Sequence, residues 1–250
     1  MTVSIIILNY NSPEVINVCL TTLKITEGVD YEVVVVDNGS DSDSVEALKQ
    51  HHAEGRIDTL VLEPVNHFFS GGNNIGVKNI RADSEFILLL NSDVGFLRPD
   101  WLQKALAWMD GTIEYKPTVW GLKPTIPKSG PRDIVSIGWS HDVNIQPGRV
   151  RPEGWCCLIR RHLWQDMSLD FPFHYGFEEM IASVVRGGAK IGALCQYAPY
   201  LVHREGGSGR ARTEIINTRV PDIPGWFAGL EIESLDFTLG PDEHDSYMSW

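Results

Sequence analysis

The residues best suited to chemistry fall in a few tight clusters. Asn91-Ser92-Asp93 closes the run Phe86-Ile87-Leu88-Leu89-Leu90, five apolar residues in unbroken sequence. Such a run is too short for a membrane span and suits a parallel strand buried on both faces. In open α/β sheets ligands bind beyond the carboxyl ends of the strands, so Asn91 and Asp93 are expected to face a crevice. Asp93 there can hold a hard divalent cation, and the cation a diphosphate. The same residues can equally make an Asx turn or cap the next helix. Glu178-Glu179 opens a helical pattern after the aromatic stretch Phe171-Pro172-Phe173-His174-Tyr175. Two acids in a first turn complement the helix dipole; in a desolvated aromatic cleft one of them can instead work as a carboxylate. His203-Arg204-Glu205-Gly206-Gly207-Ser208-Gly209-Arg210-Ala211-Arg212 is a basic, glycine-rich loop, able to close over an anion or simply to be solvated.

Strand and helix signals alternate around these clusters. Val3 to Leu8 is a β-branched strand, and Asn9-Tyr10-Asn11-Ser12-Pro13-Glu14 then starts a helix with Ser12 as N-cap and Pro13 at its first position. A second strand, Glu32 to Val36, ends in Asp37-Asn38-Gly39-Ser40, and a helix is expected from about Val45 to His51. Ile57 to Leu62 gives a weaker strand. Asn66 to Val77 contains Ser70-Gly71-Gly72-Asn73-Asn74-Ile75-Gly76 and is expected to be a glycine-rich loop running into a helix that ends near Arg81. Its glycines allow a close backbone approach to a ligand, or only to neighbouring protein. It is neither a P-loop nor a dinucleotide fingerprint. Arg98-Pro99-Asp100-Trp101 opens an amphipathic helix in which Leu102, Ala105, Leu106 and Met109 form the buried stripe.

From Gly111 to Pro152 the texture changes to Pro, Gly and isolated aromatics, with β-like pieces at Val119 to Leu122 and Ile134 to Ile137. This stretch is expected to be antiparallel edge structure and loops, suited to acceptor recognition in a fold whose first half holds a nucleotide, or equally to plain connecting structure. Gly154 to Arg161 is a strand leading into a short helix around Leu163, and Ala198 to Val202 leads to His203. After Arg219 there is no Lys or Arg, and the acidic tail is expected to be loosely folded or partner-dependent.

At 250 residues with 43% hydrophobic and 22% charged residues, the chain suits a soluble α/β protein with a large core. A net charge of −12 argues against nucleic acid as a partner and favours a divalent cation. The four cysteines form neither a Cys-x-x-Cys pair nor a disulfide scaffold. No signal-peptide pattern or span-length apolar run occurs, so a cytoplasmic location is expected, at most peripheral to a membrane.

Taken in order, these segments resemble the family-two inverting glycosyltransferases with the GT-A fold, the rhamnosyltransferase-like branch in particular. The resemblance runs from Val3 to about Ser208 through Asn9-Tyr10-Asn11, Val36-Asp37-Asn38-Gly39-Ser40, Phe69 to Gly76, Leu90 to Val94 and Tyr175 to Glu179. It implies a single GT-A domain over residues 1–220, with a nucleotide-binding half to 110, an acceptor half from 111, and a tail over 221–250. It further implies that Asp37, beside Tyr10, hydrogen-bonds the base, and that Asn91-Ser92-Asp93 stands for the family's Asp-x-Asp. In that arrangement Asp93 meets Mn²⁺ or Mg²⁺, Asn91 lies near the ribose or the metal's water, and His203 is a further ligand. Gly71 and Gly72 would lie along the donor beside Asn73, Arg210 over the phosphates, and Glu179, or Glu178 beside it, would be the catalytic base. The implied donor is a nucleotide-diphospho-sugar, UDP- or dTDP-linked, and the acceptor a glycan, a glycolipid or a protein-linked glycan.

The sequence also departs from the pattern: Asn91 and Asn38 replace carboxylates, and Glu179 replaces Asp. A catalytically degenerate nucleotide-sugar-binding module is therefore the competing expectation. A sugar-phosphate nucleotidyltransferase would need its glycine-rich activating loop directly after the first strand, where Asn9-Tyr10-Asn11-Ser12-Pro13 stands instead.

Overall fold

The computed structural model describes residues 1–111, 131–141, 150–172, 176–195, 201–203 and 233–236. The strands and helices run β1 (Thr2–Asn9), α1 (Pro13–Leu23), β2 (Asp30–Asn38), α2 (Ser42–Ala53), β3 (Thr59–Glu63), α3 (Phe68–Lys78), β4 (Phe86–Asn91), β5 (Val94–Phe96) and α4 (Trp101–Met109). They continue with β6 (Ile134–His141), β7 (Val150–Arg160), α5 (Gly176–Arg186), β8 (Ile191–Cys195), β9 (Leu201–His203) and β10 (Glu233–Asp236). Among the described residues the large sheet has the order β10-β8-β6-β7-β4-β1-β2-β3, and β5 pairs with β9 in a small second sheet.

The apolar runs form the centre of this sheet because strands covered on both faces can carry no polar side chain cheaply. Ile5, Ile6 and Ile7 of β1 and Ile87 and Leu88 of β4 are fully buried. β4 is parallel to β1 on one side but antiparallel to β7 on the other, so only half of the expected parallel environment holds. β6 lies between β7 and β8 rather than at an edge, which corrects the expectation for Ile134 to Ile137. Glu233–Asp236 in the tail pairs in parallel with β8, so this piece of it belongs to the sheet. The β-like piece at 119–122 lies outside the described residues. No helix among the described residues is long and apolar enough to cross a membrane.

Helix starts follow local chemistry with two corrections. Asp41 caps α2 by accepting from Ser44 N at 3.0 Å, which starts that helix at Ser42 rather than near Val45. Ser12 makes no cap bond; its hydroxyl donates to the Tyr10 carbonyl at 2.9 Å, and Pro13 alone sets the start of α1.

The glycine-rich stretch is the larger correction. It is not a loop: Ser70 to Gly76 lie inside α3, and all but Ile75 are buried. A Cβ on Gly72 would stand 2.9 Å from Asn38 Nδ2 and 3.0 Å from Leu8 Cδ2, and one on Gly76 would collide with Ile6 Cγ2. The glycines let α3 sit tightly on β1 and β2, so the close approach is to the sheet. Gly76→Ala is therefore expected to destabilise the fold by about 2 kcal/mol, overpacking against Ile6 outweighing alanine's helix propensity of about 1 kcal/mol. Urea unfolding checks this; an unchanged or higher midpoint would contradict it.

Candidate functional site

The carboxyl ends of β1, β2 and β4 lie side by side, because β1 pairs Asn9 with Asp37 and Leu8 with Asn91. That register puts the predicted residues of three separate segments on one rim of the sheet. The part beside β2 is tightly knit. Asp37 is 1% exposed; its Oδ1 accepts from Asn9 Nδ2 at 3.0 Å and from Ser40 Oγ at 2.6 Å, and its Oδ2 accepts from Ser40 N at 2.9 Å. Asn9 Nδ2 also donates to Ser44 Oγ at 2.9 Å. Asn11, in the left-handed region at φ 48°, donates its N–H to Ser40 Oγ and accepts from Asp41 N at 2.8 Å. Asparagine tolerates that backbone better than most residues. Tyr10, half-buried, sits between these anchors. Asp37, expected to meet a base, thus spends most of its acceptor capacity on fixing its own loop, while Oδ2 has a lone pair beyond the one that meets Ser40 N.

Asn38 points to the other face of β2, where its Nδ2 donates to the Phe68 carbonyl at 3.2 Å. Phe68 opens α3 at φ 56°, a left-handed conformation costing a phenylalanine about 1–2 kcal/mol, and its N–H is held by Asn66 Oδ1 at 2.7 Å. The rest of α3 is equally occupied with protein. Ser70 Oγ donates to the Phe171 carbonyl at 2.7 Å, Asn73 Nδ2 to the Phe69 carbonyl at 2.9 Å, and the Asn74 amide bonds both the carbonyl and the N–H of Met167, at 2.9 and 2.8 Å. Gly71, Gly72 and Asn73 are therefore packing residues in this structure. The clamp on Met167 to Pro172 holds the segment that precedes α5.

The turn after β4 carries the charge. Asn91 is half-buried, Ser92 is buried, and Asp93 is 9% exposed. β5 then pairs with β9 so that Val94 stands opposite His203, which brings His203 beside Asp93. His203 Nε2 lies 3.2 Å from Asp93 Oδ1, within ion-pair distance, yet neither atom makes a hydrogen bond. Buried acceptors at such a spacing call for a proton or a cation between them. Two adjacent donors around an octahedral Mg²⁺-sized ion, each at about 2.1 Å, stand about 3 Å apart. Asp93 and His203 therefore fit two positions of a hard divalent ion, although no group of three or more His, Cys, Asp or Glu among the described residues could hold one. Beneath the turn, the Cys19 thiol lies 3.9 Å from the Asn91 carbonyl. Burial first, and the Asp93 charge second, push this thiol up to about 12, so it stays protonated and inert.

Glu178 and Glu179 both fall in the first turn of α5, with Glu178 buried at 7% exposure and Glu179 half-buried. Of the two, Glu179 is thus the one that keeps a solvent-accessible face. Arg204, Arg210 and Arg212 lie outside the described residues, as does Tyr175.

Sequence reasoning did not single out Trp155. Its ring stacks on that of His203, centroids 4.2 Å apart and planes within 8°. Strict alternation along β7 would place it on the face of Cys157, away from Cys156, but the β6–β7 register jumps from Ser136↔Cys157 to Gly138↔Glu153. This bulge turns Trp155 to the same side as Cys156.

Comparison with known proteins bears on this arrangement. The sequence model described as glycosyl transferase family 2 matches residues 4–114. A mannosyltransferase from Pyrobaculum calidifontis, solved in complex with GDP-Man and Mn²⁺, superposes with a TM-score of 0.56 at 16% identity, over 76% of this chain and 53% of that one. Residues 1–349 of Staphylococcus aureus TarS superpose with a TM-score of 0.55 at 17% identity, over 88% of this chain and 67% of that one. The same fragment in complex with UDP gives 0.54. An uncharacterized protein, y4gI, of Sinorhizobium fredii is 33% identical over 79 residues, which are 31% of this chain and 8% of that protein. The chain thus spans only a small part of that relative and about half of the mannosyltransferase chain. The segment 4–114, which supplies β1 to β5 and the Asp93 turn, matches the glycosyl transferase family 2 model, and the chain shares the GT-A fold of these solved glycosyltransferases.

Proposed function

We propose that this chain transfers a sugar, with inversion, from a nucleotide-diphospho-sugar to a hydroxyl of a glycan, lipid-linked or protein-linked acceptor, in a metal-dependent reaction. The observation that carries the proposal is the Asp93–His203 pair, two buried donors 3.2 Å apart without a hydrogen bond, at the carboxyl end of the sheet. Asp93 and His203 would hold Mn²⁺ or Mg²⁺, which when bound stabilises the negative charge of the departing diphosphate. Asn91 and Ser92, on the same turn, line the approach to it. The network of Asn9, Asn11, Asp37 and Ser40 keeps the loop carrying Tyr10 rigid, and the spare acceptor site on Asp37 Oδ2 suits the imide N–H of uracil or thymine. That pairing favours UDP- or dTDP-linked donors. Glu179 takes the proton from the attacking hydroxyl, so that the acceptor oxygen bonds the sugar C1 as the diphosphate leaves from the opposite face. Arg210 remains a proposed phosphate contact.

A thermal-shift panel of UDP-, dTDP- and GDP-sugars, each with Mn²⁺ and with EDTA, tests this reading, since a ligand that binds only the folded state raises the unfolding temperature. A shift with one nucleotide that disappears in EDTA is the expected result. Absence of any shift would favour the degenerate binding module, for which Asn91 in place of a carboxylate is the supporting feature.

A further inference from the structure

We infer that Trp155 is a positioning residue for His203, holding the imidazole so that Nε2 stays on Asp93 and the two donors are set for a divalent cation. The inference rests on the metal reading of the Asp93–His203 pair. His203 ends β9, a strand of three residues paired only with the three-residue β5 among the described residues. So short a ladder fixes the backbone of His203 and leaves the orientation of its ring to the side chains packed against it. Trp155 supplies a flat face for that. Its indole packs against the large core cluster that contains Cys156 and Leu90, and it lies flat on the His203 ring at 4.2 Å. The register jump in β7 is what aims it there: regular alternation would have sent the indole to the opposite face. A ring already fixed by stacking does not lose its rotational freedom when the cation binds, so the ordering cost is met during folding.

Metal affinity in the complete chain tests this, read as free Mn²⁺ by electron paramagnetic resonance, with the unfolding midpoint of the metal-free protein measured alongside. Removing a residue that orients a metal ligand typically costs 10- to 100-fold in affinity. Trp155→Leu is expected to weaken Mn²⁺ binding about tenfold, Trp155→Phe to restore most of it, and Asp93→Asn to abolish it. Wild-type affinity in Trp155→Leu, with Asp93→Asn still inactive in binding, would overturn the inference and leave the metal reading intact. Wild-type affinity in Asp93→Asn, or no Mn²⁺ binding by the wild type, would overturn the metal reading and the inference with it. A weakened Trp155→Leu that Trp155→Phe fails to rescue would also count against the inference, because stacking needs only an aromatic face. Should Trp155→Leu not fold, the wild type decides. The His203 ring protons, assigned by their loss in His203→Gln, are expected upfield of ordinary histidine positions through the indole ring current, and unshifted resonances would overturn the inference.

Discussion

Asp93→Ala is expected to lower metal-dependent donor affinity at least 100-fold, a loss of about 2.7 kcal/mol. Asp93 contributes the one carboxylate at the β4 turn, because its neighbour Asn91 is neutral. Removing it leaves His203 as the remaining described donor, and a neutral imidazole alone holds Mn²⁺ or Mg²⁺ poorly. The fold should survive the change. Asp93 Oδ1 makes no hydrogen bond that alanine would break, and Cys19 below it, relieved of a nearby negative charge, stays protonated because burial is the larger cause of its raised pKa. Isothermal titration of the donor with and without Mn²⁺ reads the effect. Unchanged affinity in the variant would remove Asp93 from the metal site.

Glu179→Gln is expected to keep donor binding and to lose transfer by about 10²- to 10⁴-fold, the usual contribution of a positioned general base. The isosteric amide keeps the shape of the first turn of α5 but cannot accept the acceptor's proton. Glu178→Gln separates the two acids: Glu178 is 7% exposed and faces the interior, so its replacement should lower stability more than turnover. Full activity in the Glu179 variant with loss in the Glu178 variant would transfer the role to Glu178.

Elements whose pattern is local were legible in the sequence. β1, β2 and β4 announced themselves as apolar runs, and α1, α4 and α5 as helical spacing with recognisable starts, because each is set by residues within a turn or two. What depends on distant partners was not legible. β5 has three residues and exists through its pairing with β9, and β8 and β10 owe their place to the far side of the sheet. The glycines of α3 suggested a loop because glycine is a poor helix former, yet the packing of α3 against Ile6, Leu8 and Asn38 outweighs that propensity. The site divides in the same way. Asp93 follows from its position at the end of a buried strand, and Asp37 from the end of another. His203 came only with the family resemblance, because its meeting with Asp93 is made by the β5–β9 pairing. Trp155 gave no signal, since a bulge overrides the alternation by which strand faces are read.

The central claim is that this chain breaks the bond between sugar and diphosphate with the help of a cation at Asp93. The most direct measurement is release of nucleoside diphosphate from UDP- and dTDP-sugars by the full chain, with water or a mixed glycan pool as acceptor, in Mn²⁺ and in EDTA. The account predicts release that requires the metal and is lost in Asp93→Ala; no release from any donor, or release equally fast in EDTA, would contradict it.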